Sequence, residues 1–256
     1  MEARIKMALA VTLLAMIFPT VHAGYIIDFP YNTLNNGLVG HWTFDGPDSN
    51  TTHVFDKSGN NNNGTINGST FALGKIGQGM RFDGVDDYID VANESNFDFE
   101  RTDAFSIAAW VYRFNKDQAS TIASKQQNSG NFPGWNFYAT NDNDQLKAVF
   151  RGAASGEYIS AVTGINDFSD SAWHHAVLIY NGSSAATGLH IYIDGVDKNV
   201  SYDGTLASST LNNQNALIGH NPSAGDVHWN GLLDDVRIYN RALSEEEIKR
   251  LYNMGR

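Results

Sequence analysis

Cysteine is absent from the 256 residues, which excludes disulfides, thiol catalysis and cysteine-ligated zinc in one observation. Basic side chains are scarce too: 17 Lys and Arg stand against 28 Asp and Glu, giving a net charge of -11 and a pI near 5.0. Such a surface repels phosphate backbones and anionic membranes, so nucleic acid is excluded as a partner class, whereas neutral glycans and divalent cations suit it. Proline is sparse, with five residues against 24 glycines. No G-x-S-x-G elbow and no H-E-x-x-H pair occurs, which removes two common hydrolase signatures. Acids two or four apart on one strand, the spacing that sets two carboxylates about 5 to 10 Å apart for glycoside hydrolysis, are missing as well. Glu94, Glu100 and Glu157 stand singly in loop-like contexts.

The apolar run at residues 7–18 is too short to span a bilayer, which takes about 20 residues. It follows the basic Arg4 and Lys6 and precedes Val21-His22-Ala23, with small residues at the alternating positions signal peptidase accepts. Residues 1–23 therefore read as a signal peptide cleaved after Ala23, the alternative being a retained anchor. The mature chain is expected to be secreted, without membrane insertion, and monomeric. An exported chain without cysteine must draw its stability from burial, from metal or from both, which fits bacterial export better than the eukaryotic route. Residues 24–36 have no sustained period and read as a connector.

From residue 37 onward one rhythm continues without a linker, so one large domain is expected over 37–256. Residues 171–195 set the pattern: an apolar segment opening at Trp173, a Gly/Ser turn, and a return that ends at Asp194-Gly195 form a hairpin. Leu189, Ile191 and Ile193 share the core phase, and His190 and Tyr192 the other. Further strands are expected at 37–45, 65–70, 78–82, 88–91, 105–112, 121–124, 136–140, 146–151, 158–162, 216–219 and 232–239. The segment FSIAAWVY at 105–112 is almost continuously apolar and reads as buried on both faces. The only helix signal is a capping box, Ser244 with Glu247, followed by Ile248, Leu251 and Tyr252 and stapled by Leu243. An all-β, two-sheet antiparallel jelly-roll sandwich with one short C-terminal helix follows.

Seven segments in order carry a family resemblance: GLVGHWTFD at 37–45, DKSGN at 56–60, GMRFDG at 79–84 with Tyr88-Ile89, FSIAAWV at 105–111, AWHHA at 172–176, YIDG at 192–195, and GLLDDVRIYNRALS at 231–244. Together they resemble the LamG-like jellyroll family of concanavalin A-like lectin/glucanase folds. The resemblance implies a secreted module that binds glycan or a cell-surface or matrix polymer, and a calcium ion shared between distant segments. It does not separate lectins from adhesive modules or from accessory domains of hydrolases.

The sharpest chemical expectation is that calcium. On a regular last strand Asp234 shares the phase of Val236 and Ile238 and so faces the core, where a carboxylate needs a cation or a set of donors. First and last strands lie close in this topology, which brings Asp45, Asp56 and Asn60 within reach. Asp56, Ser58 and Asn60 alternate oxygens as a calcium loop does, without the later glycine and glutamate of an EF-hand. The expected shell is Asp45, Asp56, Asn60 and Asp234, holding a structural Ca²⁺, unless Asp234 only accepts backbone N–H bonds. The histidines lack ligand spacing, which disfavours zinc. For a sugar, Trp135, Trp229, His228 and Tyr158, with Phe132 and the nearby Asn131 and Asn136, are candidates for a stacking platform, since sugar C–H faces stack on exposed rings. His174 and His175 fall on opposite faces of a strand and cannot serve one site. The expectation is a non-catalytic, carbohydrate-binding module; the alternatives are an adhesive module without a sugar site and a hydrolase.

Overall fold

The computed structural model describes residues 33–256 apart from 142 and 224. The signal peptide, its cleavage point and most of the connector lie outside the described residues. Two antiparallel sheets face each other. The first has eight strands, in the spatial order Val196–Asp197, Leu189–Ile193, Trp173–Tyr180, Phe105–Arg113, Asn230–Tyr239, Gln78–Asp83, Thr70–Leu73, with Leu38–Trp42 also paired to Asn230–Tyr239. The second has nine, in the order Asn199–Thr205, Tyr158–Thr163, Leu146–Arg151, Gly134–Ala139, Ser120–Gln126, Ala216–Ile218, Tyr88–Val91, Gly64–Asn67, His53–Val54. A separate ladder pairs His220–Asn221 with Val227–His228.

Alternation decides what lies between the sheets. Leu189, Ile191 and Ile193 enter the inter-sheet core as expected, together with Phe105, Ile107, Ala109 and Val111 of the neighbouring strand. Trp42, Phe82, Trp135, Phe137, Phe150 and Trp229 fill the rest. The Phe105–Arg113 strand is buried on both faces, because its other phase, through Ala108, meets a second apolar layer. That layer holds Val177, Ile179, Tyr192 and Tyr239 under Leu243, Ile248 and Leu251 of the helix Glu245–Met254.

The helix starts where the capping box puts it. The Ser244 hydroxyl accepts the Glu247 N–H, and the Glu247 carboxylate accepts the Ser244 N–H at 2.9 Å. Glu247 also holds Arg241 through two contacts of 2.8 Å. The helix continues to Met254, with Lys249 and Arg250 in its middle. Arg250 reaches the Thr33 hydroxyl at 2.8 Å and Arg241 the Thr33 carbonyl at 2.9 Å, so the end of the connector is docked, with Leu34 in the outer apolar layer.

Candidate functional site

The outer face of the nine-stranded sheet carries a groove of about 380 Å³. Its floor is the outward phase of adjacent strands: Gln126, then Asn136 and Tyr138, then Lys147, Val149 and Arg151. The intervening Trp135, Phe137, Leu146, Ala148 and Phe150 point into the core, which fixes these side chains on rigid strands. The His220–His228 hairpin folds over this face as a wall. Its Asn221 and Ser223 side chains donate to the Gln126 side-chain oxygen at 2.9 and 2.8 Å.

Three polar atoms lining the groove are buried with no partner: Nε2 of Gln126, Oδ1 of Asn136 and Oγ1 of Thr140. Buried polar atoms are almost always paired, so these mark hydrogen-bonding capacity that the chain itself leaves unused beneath the groove. Among the described residues lining the groove none is acidic, whereas Lys147 and Arg151 both are basic. The Arg151 guanidinium lies over the Tyr158 ring at 5.3 Å.

The aromatic platform does not form. Trp135 is 1% and Trp229 0% exposed, because Trp135 points between the sheets and Trp229 packs in the same core; neither presents a face to a sugar. Their indole N–H groups are taken by the Phe97 and Leu232 carbonyls. His228 is buried against the ring of His220, 4.0 Å away. Tyr158 is partly exposed beside the groove, but its hydroxyl donates to Asp203 at 2.5 Å. Of the residues named around the platform, Asn136 alone lines the groove.

The four expected calcium ligands are not brought together either. Asp56 spends both oxygens inside the chain: Oδ1 accepts the N–H groups of His41 and Ser58 at 2.9 and 2.8 Å, and Oδ2 the Ser58 hydroxyl and Asn62 N–H at 2.7 and 2.9 Å. Asn60 donates to the Leu38 and Val39 carbonyls at 3.0 and 3.1 Å, and Asn62 to Val39 at 2.9 Å. The Asn-rich loop thus covers the backbone of Leu38–Trp42, which among the described residues pairs only with the last strand, as an otherwise unpaired edge requires. Asp45 accepts the Gln78 N–H at 2.8 Å, seated against Gly77, where φ is +65° and an added Cβ would lie 2.2 Å from Asp45 Oδ1.

Asp234 is fully buried, but not in the inter-sheet core. A bulge between Asp234 and Arg237, with Asp235 at φ 47°, puts both Leu233 and Val236 inward although they are three residues apart. The phase therefore slips by one, and Asp234 lies with Trp110, its partner across the strands, on the helix-bearing face. Its Oδ2 accepts the Ile76 N–H at 2.7 Å and its Oδ1 has no partner. Burial pushes the carboxyl up to about 7. Burial also pushes against the charge of neighbouring Asp235, yet His41 Nε2 at 2.6 Å and Arg237 hold that carboxyl well below its usual range. Carboxylates do converge at Asp83, Asp86 and Asp87. Histidines do so too: His220 and His228, eight apart in sequence, come opposite each other in the short ladder, with Asp226 beside both. Sequence spacing hides a pairing that a hairpin register creates.

His174 and His175 separate as alternation requires. His175 is buried beneath Tyr252, and burial pulls it down to about 4. His174 stands between Ser169 Oγ and Asp194 Oδ2, 2.8 Å from each. That order matches nucleophile, base and orienting acid. Ser169 is exposed, however, and Asp194 uses its other oxygen on the His175 N–H at 2.9 Å, tying the strand to the turn after Ile193.

Solved structures that resemble the chain share its fold at low identity. The binding domain of Paraclostridial Mosquitocidal Protein 1 superposes with a TM-score of 0.65 at 21% identity, over 86% of this chain and 53% of that one. The receptor binding domain of botulinum neurotoxin C/D mosaic serotype gives 0.63 at 15%, over 86% and 52%. A Trypanosoma rangeli sialidase, solved with a difluoro-KDN ligand, gives 0.61 at 18%, over 84% and 32%. The chain thus spans about half of each toxin domain and a third of the sialidase. No curated protein matches in sequence. The model of the concanavalin A-like lectin/glucanases superfamily matches residues 83–249, and the chain belongs to that superfamily.

Proposed function

We propose that the protein is a carbohydrate-binding module whose ligand lies in the groove over Gln126, Asn136, Tyr138, Lys147 and Arg151, and that it acts outside the cell that makes it. The observation that carries this reading is the set of three buried, unpaired polar atoms on the groove floor and rim. Sugar hydroxyls both donate and accept, so they match an amide N–H, an amide oxygen and a hydroxyl spaced along adjacent strands. Two basic residues with no acid among the described lining residues, on a chain of net charge -11, favour sugars with a carboxylate or sulfate over neutral ones. Fold relatives named as receptor-binding domains support a binding role of this kind.

The test is a glycan array that includes uronate, sialate, sulfated and neutral sugars, repeated with Asn136→Ala and Arg151→Ala. Binding by the wild type that both variants lose, at unchanged melting temperature, supports the reading. Silence across the array, with binding to a protein surface instead, favours an adhesive module. For the structural Ca²⁺, the engagement of both Asp56 oxygens within the chain, and of Asp45 and Asp234 by backbone N–H groups, directs the proposal to other carboxylates. A melting curve with calcium and with chelator, repeated on Asp86→Asn, asks whether the Asp83, Asp86 and Asp87 turn takes that ion instead.

A further inference from the structure

The hairpin that walls the groove has only two strand pairs, His220 with His228 and Asn221 with Val227. A ladder this short does not hold itself in water. What gathers around it is a donor set. Nε2 of His220 lies 2.7 Å and Nε2 of His228 3.5 Å from the same Asp226 oxygen. The ligand atoms of all three residues lie within 4.8 Å of one another. Both imidazoles are buried, at 8% and 6% exposure, while the Asp226 side chain faces solvent.

The His228 tautomer suits ligation. Nδ1 of His228 faces the Asp87 carbonyl at 3.3 Å; a carbonyl only accepts, so the proton sits on Nδ1 and the lone pair on Nε2, the outer-sphere arrangement that orients metal-bound histidines. At His220 the Asp226 carboxylate can only accept, so Nε2 carries the proton across the 2.7 Å contact, and Nδ1, which has no partner, can take that proton when Nε2 turns to an ion. Two imidazole nitrogens and one carboxylate suit borderline transition ions at about 2.0 to 2.2 Å and are a poor set for calcium, which takes oxygen ligands.

We propose that His220, Asp226 and His228 bind a divalent transition ion, zinc above all, with one coordination position left open to solvent, and that the ion sets the position of the groove wall. Asn221 and Ser223, which hold the Gln126 side chain, and Val227, which lines the groove, lie between the ligands in sequence. Metal binding stands on the hairpin alone; its effect on ligand affinity rests on the glycan reading.

The test titrates the metal-free full chain with ZnCl₂, with CaCl₂ as control, reading melting temperature, and with CoCl₂, reading visible absorption. Zinc is expected to raise the melting temperature saturably, calcium to leave this hairpin unaffected, and cobalt to give the absorption of a nitrogen-ligated ion. Asp226→Asn, at an exposed position, should melt like the metal-free wild type and bind zinc at least tenfold more weakly; His228→Gln should abolish the cobalt band. Zinc binding that is absent, or equal in wild type and Asp226→Asn, overturns the assignment. If zinc binds and shifts the melting temperature as expected while no glycan binds with or without it, the metal site stands and the glycan reading falls.

Discussion

Asp234→Asn separates two accounts of one buried carboxyl. In the structure Asp234 is 0% exposed, accepts one N–H from Ile76 and is raised to about 7 by burial. A carboxyl whose folded pKa lies above its unfolded value of 3.8 gives stability that is complete below pH 3.8 and is lost as pH rises through 7. A tenfold difference in proton affinity between the folded and unfolded chains is worth about 1.4 kcal/mol, so the wild type should lose on the order of 4 kcal/mol from this group between pH 4 and pH 8. Asparagine keeps the shape and the acceptor for Ile76 but cannot ionise. Urea unfolding of both proteins at pH 5, 6, 7 and 8 should therefore show the variant gaining on the wild type as pH rises, approaching a difference of roughly 4 kcal/mol at pH 8. Other titrating groups are common to both proteins and cancel in the difference. A flat difference refutes the burial argument. A difference that moves the other way, with the wild type gaining at high pH, means that the charged form is stabilised and restores the counter-ion expected from the sequence.

Four further outcomes rest on the same structure. His175, pulled down to about 4 by burial, contributes stability that is complete above pH 6.5 and lost as pH falls toward 4, about 3 kcal/mol in all; His175→Gln should flatten that part of an acid-unfolding profile. Asp56→Ala leaves the four donors of His41, Ser58 and Asn62 without their acceptor and should cost about 3 kcal/mol in urea unfolding, with or without calcium present; a loss seen only with calcium contradicts the knot of hydrogen bonds. Trp135→Ala should cost about 3 to 5 kcal/mol as a core cavity, whereas Ser169→Ala should change neither stability nor binding; labelling of Ser169 by a fluorophosphonate, abolished in His174→Ala, would instead establish a hydrolase.

Where the chain reports on its own local chemistry, it was legible. The hairpin of Trp173–Tyr180 with Leu189–Ile193, its core phase, the doubly buried Phe105–Arg113 strand and the capped helix all depend on periodicity and on side chains a few residues apart. The outward phase of Gly134–Ala139 and Leu146–Arg151 already held Asn136, Tyr138, Lys147 and Arg151. What failed were inferences that need neighbours. Trp135 and Trp229 sit among polar residues in sequence, yet polar neighbours along a strand say nothing of what covers the opposite face. Strand Asn199–Thr205 has only Val200 and Tyr202 as apolar residues, too few to reveal it, and it pairs with Tyr158–Thr163.

The sequence by itself determined the class of fold, the number of layers and which residues of the Leu189–Ile193 and Phe105–Arg113 strands meet the core, because a twofold backbone period and a strong hydrophobic pattern leave one solution there. Only the tertiary structure decided the sites. One residue at φ 47° slipped the phase of the last strand and moved Asp234 from one face to the other, the edge of Leu38–Trp42 claimed the oxygens of the Asn-rich loop, and a short hairpin set His220 opposite His228. A bulge, an edge and a register are relations between segments, and no segment carries them alone.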